Sequence, residues 1–466
     1  MHTTANRWTR YASVLMVTGA VAWAAAGATA PPAAKTEEAK AFEAGLRSEL
    51  GELATRFSTS TRPADLAPTV DALFDTAIAY CSPADDTSPL ADIDALRRQI
   101  VQLSQLKGDD AAATTKLMTA NPQLARVVAS AIGPQDNVAG AYAVLRLLAE
   151  KFPARVLDGE AVSPADAKAR TPGKKKDESL ATLVAAFCIV YDGPVAAAGA
   201  TSEPVAIPRE RITKLFEHFA TNQSKMSMRG GAPPEVLAYV VSVDPRVTDE
   251  DLPWALSAYA GHKSVGKLYQ SIVYDTNHFK RGTPKKVDKA PGGVTLQNVR
   301  KFGGICAEQA FFAANVGKLI GVPTVVVIGR GSDVGHAWVG YLKSVGNGKH
   351  EWDFDEGRYK EYQGLRGNAI DPRTGDEVAD GVVGLSAGLM TDNRLRHHSI
   401  ALLDAAERMQ SIENAKLAYP PTRPSAAAPP PPTVTPRPLG SLSQLELIEE
   451  ALRKLPANTR GWNMVA

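Results

Sequence analysis

The chain has 466 residues, which is enough for two or three domains that each bury a core of their own. Apolar residues make up 44% and charged residues 22% of the sequence, proportions that are usual for a globular protein. The 52 basic and 50 acidic residues leave a net charge of +2. This balance gives no reason to expect a partner made of nucleic acid or an acidic membrane surface.

The first 28 residues have the pattern of a cleaved export signal. Arg7 and Arg10 precede an uncharged apolar run from Tyr11 to Ala26, and small residues follow as a cleavage site. A membrane anchor is the alternative, but the run is short for a span, which needs about 20 residues. We therefore expect an exported protein, periplasmic or secreted, with no membrane contact after cleavage of residues 1–28.

Export changes how the three cysteines are interpreted. In an oxidising compartment Cys81 and Cys188 could form a disulfide, which would leave Cys306 as the odd thiol. The alternative is that Cys81 and Cys188 are both buried free thiols, and the sequence does not decide between the two. In either case an unpaired Cys306 fits a reactive role.

The chain before residue 303 is predicted to be mainly helical. Residues 31–200 form a helical N-terminal region of amphipathic segments that contains no motif with evident chemistry. Within it, the lysines at 174–176 follow Pro172 and Gly173 and indicate a solvated loop. A helical lead-in begins at residue 207, and a polar loop at 276–293 then delivers the chain to a glycine pair.

The stretch from Gly303 to Asp355 predicts a helix followed by three strands. Cys306 to Ile320 is rich in small and apolar residues, as expected of a helix that approaches a sheet closely. Thr324 to Ile328 is a β-branched run typical of a buried strand. After a glycine-rich loop the next strand places His336 and Trp338 on one face. A third strand places Asp353 and Asp355 on the face opposite Trp352 and Phe354.

The C-terminal part is predicted to be helical again, interrupted by a linker. A helical segment covers residues 386–418, and a proline-rich, semi-rigid linker covers 419–439. Residues 440–466 resemble part of one tetratricopeptide-type repeat, with a proline-containing turn before a helix that carries Trp462. Because such arrays need about three repeats for stability, this tail either docks elsewhere on the protein or belongs to a chain that is cut short.

A cysteine, a histidine and an aspartate in this order suggest a thiol-based catalytic triad. At the start of a helix, unpaired backbone N–H groups and the helix dipole favour the thiolate of Cys306 and could hold an oxyanion. His336 could act as the base, and a carboxylate on the neighbouring strand could fix its tautomer. Asp355 is the first choice for that carboxylate, and Asp353 is the reserve. Gln297 is a candidate oxyanion donor on its chemistry alone.

These motifs together resemble the core of the transglutaminase-like superfamily. The resemblance rests on Gly-Ile-Cys-Ala-Glu-Gln-Ala at 304–310, Gly-Val-Pro at 321–323, Gly-His-Ala-Trp-Val at 335–339 and a Trp-containing strand with an aspartate, and it covers residues 265–375. It implies a papain-like α+β fold, with a cysteine helix packed on an antiparallel sheet, in a domain at 207–385. It also implies Cys306 as nucleophile and His336 as base, although the proline that commonly follows the family's aspartate is missing here.

The resemblance implies an exported thiol enzyme that attacks amide or peptide bonds and forms an acyl-thioester. Hydrolysis and transfer to an amine share every step except the last, so the sequence leaves both open. The alternative is a catalytically inactive scaffold of the same fold that binds proteins through its helical regions. We expect a protein or peptide substrate, no nucleic-acid partner, no organic cofactor and no metal, since the histidines show no metal-ligand spacing.

Overall fold

The computed structural model describes residues 35–465 apart from 61, 84, 86, 158–177, 196–203, 229–231, 263, 281, 331–334, 363–364, 391 and 419–441. The predicted export signal at 1–28, the lysine-rich loop at 174–176 and the proline-rich linker at 419–439 lie outside the described residues. Two compact units are present, one made of Met1–Ser130 with Thr391–Ala466 and the other of Ala131–Met390.

The described residues form helices and one small sheet, which makes the protein α+β. The helices are α1 Glu37–Thr59, α2 Ala67–Tyr80, α3 Leu90–Ser104, α4 Gly108–Ala120, α5 Pro122–Ala131, α6 Val138–Lys151, α7 Pro153–Leu157, α8 Glu178–Val190, α9 Arg209–Thr221, α10 Pro234–Val241, α11 Asp251–Tyr259, α12 Val265–Gln270, α13 Leu296–Phe302, α14 Cys306–Leu319, α15 Asp380–Leu385, α16 Asn393–Ala418, α17 Gln444–Lys454 and α18 Thr459–Val465. The strands are β1 Thr324–Arg330, β2 Gly335–Gly346, β3 Lys349–Gly357, β4 Asn368–Ile370 and β5 Glu377–Ala379. None of the described helices combines the length and the apolar character that a membrane crossing requires.

The first unit is built from helices that are distant in sequence. Helix α16 packs against α17 and α3, and α17 packs against α18. A Cβ on Gly461 would meet Leu452 at 2.8 Å and Leu403 at 3.5 Å, so the last helix approaches its neighbours closely. The C-terminal tail thus docks on α16, which is one of the two outcomes that the sequence left open.

The division of the chain differs from the sequence prediction. The predicted helical region at 31–200 is split, because the part from Ala131 onward belongs to the unit that contains the sheet. The predicted separate pieces at 386–418 and 440–466, apart from residues 386–390, join the helices before residue 130 instead of standing alone. Amphipathic periodicity shows which face of each helix is buried but does not show which distant helix covers it.

The second unit contains a five-stranded antiparallel sheet in the order β3-β2-β1-β4-β5. The predicted run Thr324–Ile328 forms β1, which lies at the centre between β2 and β4. Its valines are buried, as β-branched residues in a central strand should be. Strand β2 begins one residue before the predicted histidine, and its residues from Ala337 to Leu342 are buried.

Helix α14 packs on β1 and β2, as the sequence predicts for a helix of small residues. Ala310, Ala313 and Ala314 are buried, and a Cβ on Gly317 would lie only 2.6 Å from a methyl group of Thr324. The absence of a side chain at Gly317 therefore permits the close approach of helix and sheet. This packing fixes the N-terminus of α14, with Cys306, near the start of β2.

All three cysteines are free. Cys81 and Cys188 are buried in different units, so the alternative of a disulfide between them is not met. Burial raises the pKa of Cys81 to about 12 and raises that of Cys188 as well. Both thiols are therefore protonated at neutral pH, and only Cys306 is partly exposed.

Candidate active site

Cys306 is the first residue of α14, and two glycines determine how the chain enters this helix. Gly303 has a φ of +78°, and a Cβ there would lie 2.3 Å from the carbonyl oxygen of Val273. A Cβ on Gly304 would lie 2.3 Å from the Cβ of Glu308. Side chains at these two positions would push the chain away, so the glycine pair is what brings Cys306 into the first turn.

Glu308 anchors the first turn of the helix. Its carboxylate accepts a hydrogen bond from the backbone N–H of Ile305 at 2.9 Å and forms an ion pair with Lys285 at 2.6 Å. The contact with Ile305 is that of a residue that caps the helix N-terminus. The same carboxylate lies near the Cys306 sulfur, and its charge disfavours the thiolate.

The thiol of Cys306 is held in its protonated form at neutral pH. Burial raises the pKa of Cys306, and the Glu308 carboxylate adds to this effect. Hydrogen bonds from the backbone amides of Ala337, Ala307 and Cys306 itself act in the opposite direction but do not outweigh burial. The amides at the helix start do stabilise the thiolate, as the sequence predicts, yet the net direction is upward.

His336 lies at the start of β2 and is surrounded by aromatic rings. Its ring stacks on Tyr362 with a centroid distance of 4.0 Å, and the hydroxyl oxygen of Tyr269 lies 3.5 Å from Nε2. Burial lowers the pKa of His336, the Arg358 guanidinium lowers it further, and Glu361 opposes this shift. The imidazole is therefore neutral at pH 7, which is the form that can accept a proton.

The backbone of Ala337 brings the cysteine and the histidine into the same neighbourhood. The Cys306 sulfur accepts from the Ala337 amide, and Tyr269 donates to the Ala337 carbonyl at 3.0 Å. Since His336 is the preceding residue of β2, the thiol at the start of α14 contacts this strand one residue away from the histidine. Among the described residues, however, no hydrogen bond joins the Cys306 sulfur to the His336 ring, so proton transfer requires a side-chain rotation or an intervening group.

Neither predicted aspartate contacts His336. The carboxylate of Asp355 pairs with Arg358 and is largely exposed to solvent. Asp353 forms an ion pair with Lys343 at 2.8 Å and accepts hydrogen bonds from two backbone amides of its own strand. Burial acts to raise the pKa of Asp353, but these amides and Lys343 outweigh it and hold the pKa below its usual value.

The pairing register of β2 and β3 explains why the aspartates are displaced. Asp353 lies opposite Tyr341, five positions beyond His336, which corresponds to about 16 Å along the strand. The next aligned pair, Val339 with Gly357, follows an irregularity in the ladder. Continuing this register places the turn Lys360–Tyr362 beside His336, in agreement with the stacking of Tyr362 on the imidazole.

Glu361 is the carboxylate that acts on His336 in this arrangement. It lies in the turn that the register brings to the histidine, and its charge raises the histidine pKa against burial and Arg358. No motif in the sequence singles out Glu361. The length of β3 is the signal that could have indicated Glu361. Because β3 ends at Gly357, the turn that follows it lies opposite the start of β2.

Gln297 is not placed to hold an oxyanion at Cys306. Both its backbone N–H and its side-chain amide are directed to the Asp251 carboxylate at 3.4 Å. Gln309, one turn after the cysteine, is the fully buried glutamine of this helix. Its amide donates to the carbonyl of Ile272 at 2.8 Å and to the Tyr359 hydroxyl at 2.9 Å, so it fixes two flanking segments to α14.

Four tyrosines lie around the cysteine and the histidine. The tyrosine cluster consists of Tyr269, Tyr274, Tyr359 and Tyr362. The rings of Tyr269 and Tyr359 are 5.6 Å apart. Burial raises the pKa of Tyr269 and of Tyr274, and proximity to Cys306 adds to the shift of each. Both hydroxyls therefore stay protonated and can donate hydrogen bonds near the thiol.

The described residues contain no group of three or more His, Cys, Asp or Glu side chains that could hold a metal ion. The chain was also compared with known proteins. No protein-family model, no curated protein and no solved structure matches it. The family assignment therefore rests on the motifs alone and stays a prediction.

Proposed function

We propose that the protein is a transglutaminase-like thiol enzyme that acts on amide bonds through Cys306 and His336. The observation that carries this proposal is the position of a partly exposed thiol at the start of α14, on the amide that follows His336. A structural cysteine has no need for a helix start, a partly exposed sulfur or a neutral imidazole next to it. The papain-like arrangement of helix and sheet is part of the same proposal.

The reaction begins with both groups uncharged. After a side-chain rotation brings the ring to the sulfur, the neutral imidazole of His336 takes the proton of the Cys306 thiol as the sulfur attacks the amide carbonyl carbon. Backbone N–H groups at the start of α14 stabilise the oxyanion of the tetrahedral intermediate. The carbon–nitrogen bond then breaks, the imidazolium returns its proton to the leaving amine, and an acyl-thioester is left on Cys306. Water or an acceptor amine attacks this thioester and regenerates the thiol.

Glu361 takes the supporting role that the sequence assigned to an aspartate. A carboxylate near the imidazole favours the imidazolium that forms during the attack. Because Glu361 is exposed, its effect is screened by solvent and is weaker than that of a buried carboxylate. We therefore expect a slower enzyme than one with a buried acid in this role.

The test is amide turnover with a pool of peptides that contain glutamine and asparagine, in the presence and absence of hydroxylamine. Hydrolysis releases amine without hydroxylamine, whereas acyl transfer yields a hydroxamate with it. Cys306→Ala and His336→Ala should each abolish both products, and His350→Ala, at the distant end of β3, should leave them unchanged. If the unmodified protein forms neither product and no acyl adduct on Cys306, the enzymatic proposal is excluded.

A non-catalytic scaffold is the second candidate, and one observation favours it. The Arg358 guanidinium is buried, stacks 4.9 Å from the Trp338 ring and disfavours the imidazolium of His336. A cation in this place opposes the thiolate–imidazolium ion pair that many thiol enzymes use. If Cys306→Ala and His336→Ala both retain every interaction and phenotype of the unmodified protein, the scaffold is the correct function.

A further inference from the structure

The segment that leads to Cys306 is far more basic than the rest of the chain. Residues 280–301 contain seven basic residues and one acidic residue, whereas the whole chain is nearly balanced at 52 and 50. Four lysines on this segment, Lys280, Lys286, Lys289 and Lys301, are exposed and are called the basic collar below. A whole-chain net charge of +2 conceals this local excess.

Hydrogen bonds fix the basic collar against the start of α14. Lys285 pairs with Glu308 in the first turn of that helix. The backbone N–H of Lys286 donates to the Asp275 carboxylate at 2.6 Å, and the Asp275 N–H donates to the carbonyl of Gly304 at 2.9 Å. Val287 is buried beneath the same loop. The lysines thus belong to a segment that is anchored two residues from Cys306.

None of the collar lysines forms a side-chain ion pair within the described part of the chain, although the charge of Lys286 also acts on the Asp275 carboxylate. Lys285 is the lysine of this loop whose charge is paired, through Glu308 and Asp288. Isolated exposed lysines are ordinary solvated groups, and one of them alone would indicate nothing. Several unpaired cations on one anchored segment create a local positive potential that attracts anionic ligands.

Exposed apolar side chains lie in the segment just before the basic collar. Val273 is 70% exposed and Phe279 is 72% exposed, although most large apolar residues of the protein are buried. Both flank Tyr274, whose backbone pairs with Gly304 and whose pKa is raised by burial and by the nearby Cys306. The surface beside Cys306 therefore offers apolar contacts from Val273 and Phe279 and positive charges from the adjoining basic collar.

We propose that the basic collar binds acidic residues of a polypeptide substrate and thereby presents the adjoining amide to Cys306. This inference rests on the proposed function, in which the Cys306 thiol attacks the carbonyl carbon of an amide. A polypeptide backbone offers such amides, whereas a nucleic-acid backbone does not. Glutamate or aspartate side chains on the substrate contact the lysines, and a neighbouring apolar side chain contacts Val273 and Phe279. The substrate class is thus an acidic peptide or protein segment.

The first experiment measures binding by full-length protein that carries Cys306→Ala, so that no turnover occurs. Two acetylated peptides are compared, one rich in glutamate and one with glutamine at the same positions, each with an uncharged fluorescent label. The glutamate peptide should bind more tightly by fluorescence anisotropy, and the difference should shrink at about 0.15 M salt, where the Debye length is about 8 Å.

Charge variants locate the binding site. Lys286→Gln with Lys289→Gln should weaken binding of the glutamate peptide about three- to tenfold at low ionic strength, because each lost cation removes an attraction over roughly 5–10 Å. Lys116→Gln with Lys349→Gln removes the same charge at exposed positions elsewhere and should leave binding within about twofold. Equal binding of both peptides, or equal effects of the two double variants, would overturn the inference.

Protection of the thiol links the collar to the site. In the unmodified protein the glutamate peptide should slow alkylation of Cys306 by iodoacetamide more than the glutamine peptide does. If the glutamate peptide binds without slowing alkylation, or if a single-stranded DNA oligomer of equal charge protects Cys306 better, the acidic-polypeptide assignment is wrong. Because binding is measured without turnover, these results are independent of the turnover test. The absence of hydrolysis products, of hydroxamate and of an acyl adduct on Cys306 would exclude the proposed function without changing the binding result.

Discussion

The surroundings of Cys306 favour its uncharged thiol, and those of His336 favour its uncharged imidazole. Burial and Glu308 raise the pKa of the thiol, while burial and Arg358 lower the pKa of the imidazole. A thiol and an imidazole in these states do not form a resting ion pair. In the reaction proposed above, the proton must instead move as the carbonyl is attacked, as it does when a hydroxyl nucleophile reacts with the help of a general base.

The raised thiol pKa predicts how Cys306 reacts with iodoacetamide. Since the thiolate is the reacting form, the alkylation rate should be low at neutral pH and rise through a midpoint above that of an ordinary thiol. Mass spectrometry of the labelled peptide measures this rate as a function of pH. Cys306→Ala serves as the control, because buried Cys81 and Cys188 should then leave the native protein unlabelled. A midpoint below pH 7 would contradict the described electrostatics.

Glu361 offers a test of the carboxylate assignment. Because its charge raises the pKa of His336, Glu361→Gln should lower that pKa and shift the acid limb of any pH–rate profile to lower pH. We expect kcat/KM at pH 7 to fall about two- to tenfold, a modest loss because an exposed carboxylate is screened by water. NMR titration of the His336 ring protons gives the pKa directly. Lys360→Gln is the neighbouring control, and Asp355→Asn should have no larger effect than this control.

Helix α14 and the segments around it hold the thiol in position. Gln309 joins the helix to Ile272 and Tyr359, and the glycine pair before Cys306 lets the Val273–Asp275 segment lie against it. These contacts fix the entrance of the helix from two sides. Changes in this region should therefore affect stability and thiol reactivity together.

Gly304→Ala tests the close approach at the helix entrance. The new methyl group would lie 2.3 Å from the Cβ of Glu308. Because this Cβ is attached to the backbone, a rotation of the end of the Glu308 side chain would not relieve the clash. Overpacking of this kind costs about 1–3 kcal/mol of unfolding free energy. Gly384→Ala, where no atom lies within 4 Å of the new Cβ, is the matched control and should be neutral or slightly stabilising. Urea unfolding compares the two, and equal stabilities would show that the entrance is not tightly packed.

The elements of the sheet unit could be predicted because their signals are local. The helix from Cys306, the β-branched run of β1 and the alternation in β2 all depend on residues within a few positions of one another. The partner of His336 could not be predicted in this way, since it depends on the pairing register of two strands. One irregularity between Val339 and Tyr341 changes which residue of β3 faces each residue of β2, and alternation alone does not contain that information.

The division of the whole chain depends on contacts that are even more distant in sequence. In the first unit a buried charge cluster joins three helices that the sequence analysis assigned to separate pieces. Arg98 on α3 donates to Asp94 at 3.1 Å and to Asp404 on α16 at 2.7 Å, and Arg460 on α18 pairs with Asp404 at 2.6 Å. Such a cluster ties the C-terminal tail to the N-terminal helices, but only the folded chain reveals it.

The cluster predicts a specific dependence of stability on pH. Burial and the Asp404 charge raise the pKa of Asp94 to about 7 from an ordinary value of 3.8. Between these pH values the folded form retains a proton that the unfolded chain has released, so this contribution to stability is complete below about pH 4 and is lost as the pH rises to about 7. Asp404 behaves in the opposite way, because Arg98 and Arg460 lower its pKa to about 2 despite its burial, and its contribution is present above about pH 4 and is lost as the pH falls toward 2.

Asp94→Asn should therefore stabilise the first unit at pH 8, because the amide replaces a carboxylate whose ionised form is unfavourable there. The gain should reach a few kcal/mol at most, since each unit of pKa shift corresponds to about 1.4 kcal/mol and the buried charges relax in part. The stability of this variant should also vary less between about pH 4 and 7. Asp404→Asn, which removes the partner of two arginines, should instead destabilise the protein at pH 8. Urea unfolding followed by circular dichroism at several pH values measures both effects. A loss of stability in Asp94→Asn equal to that in Asp404→Asn would show that the fold stabilises the ionised form of Asp94 and that its pKa is not raised.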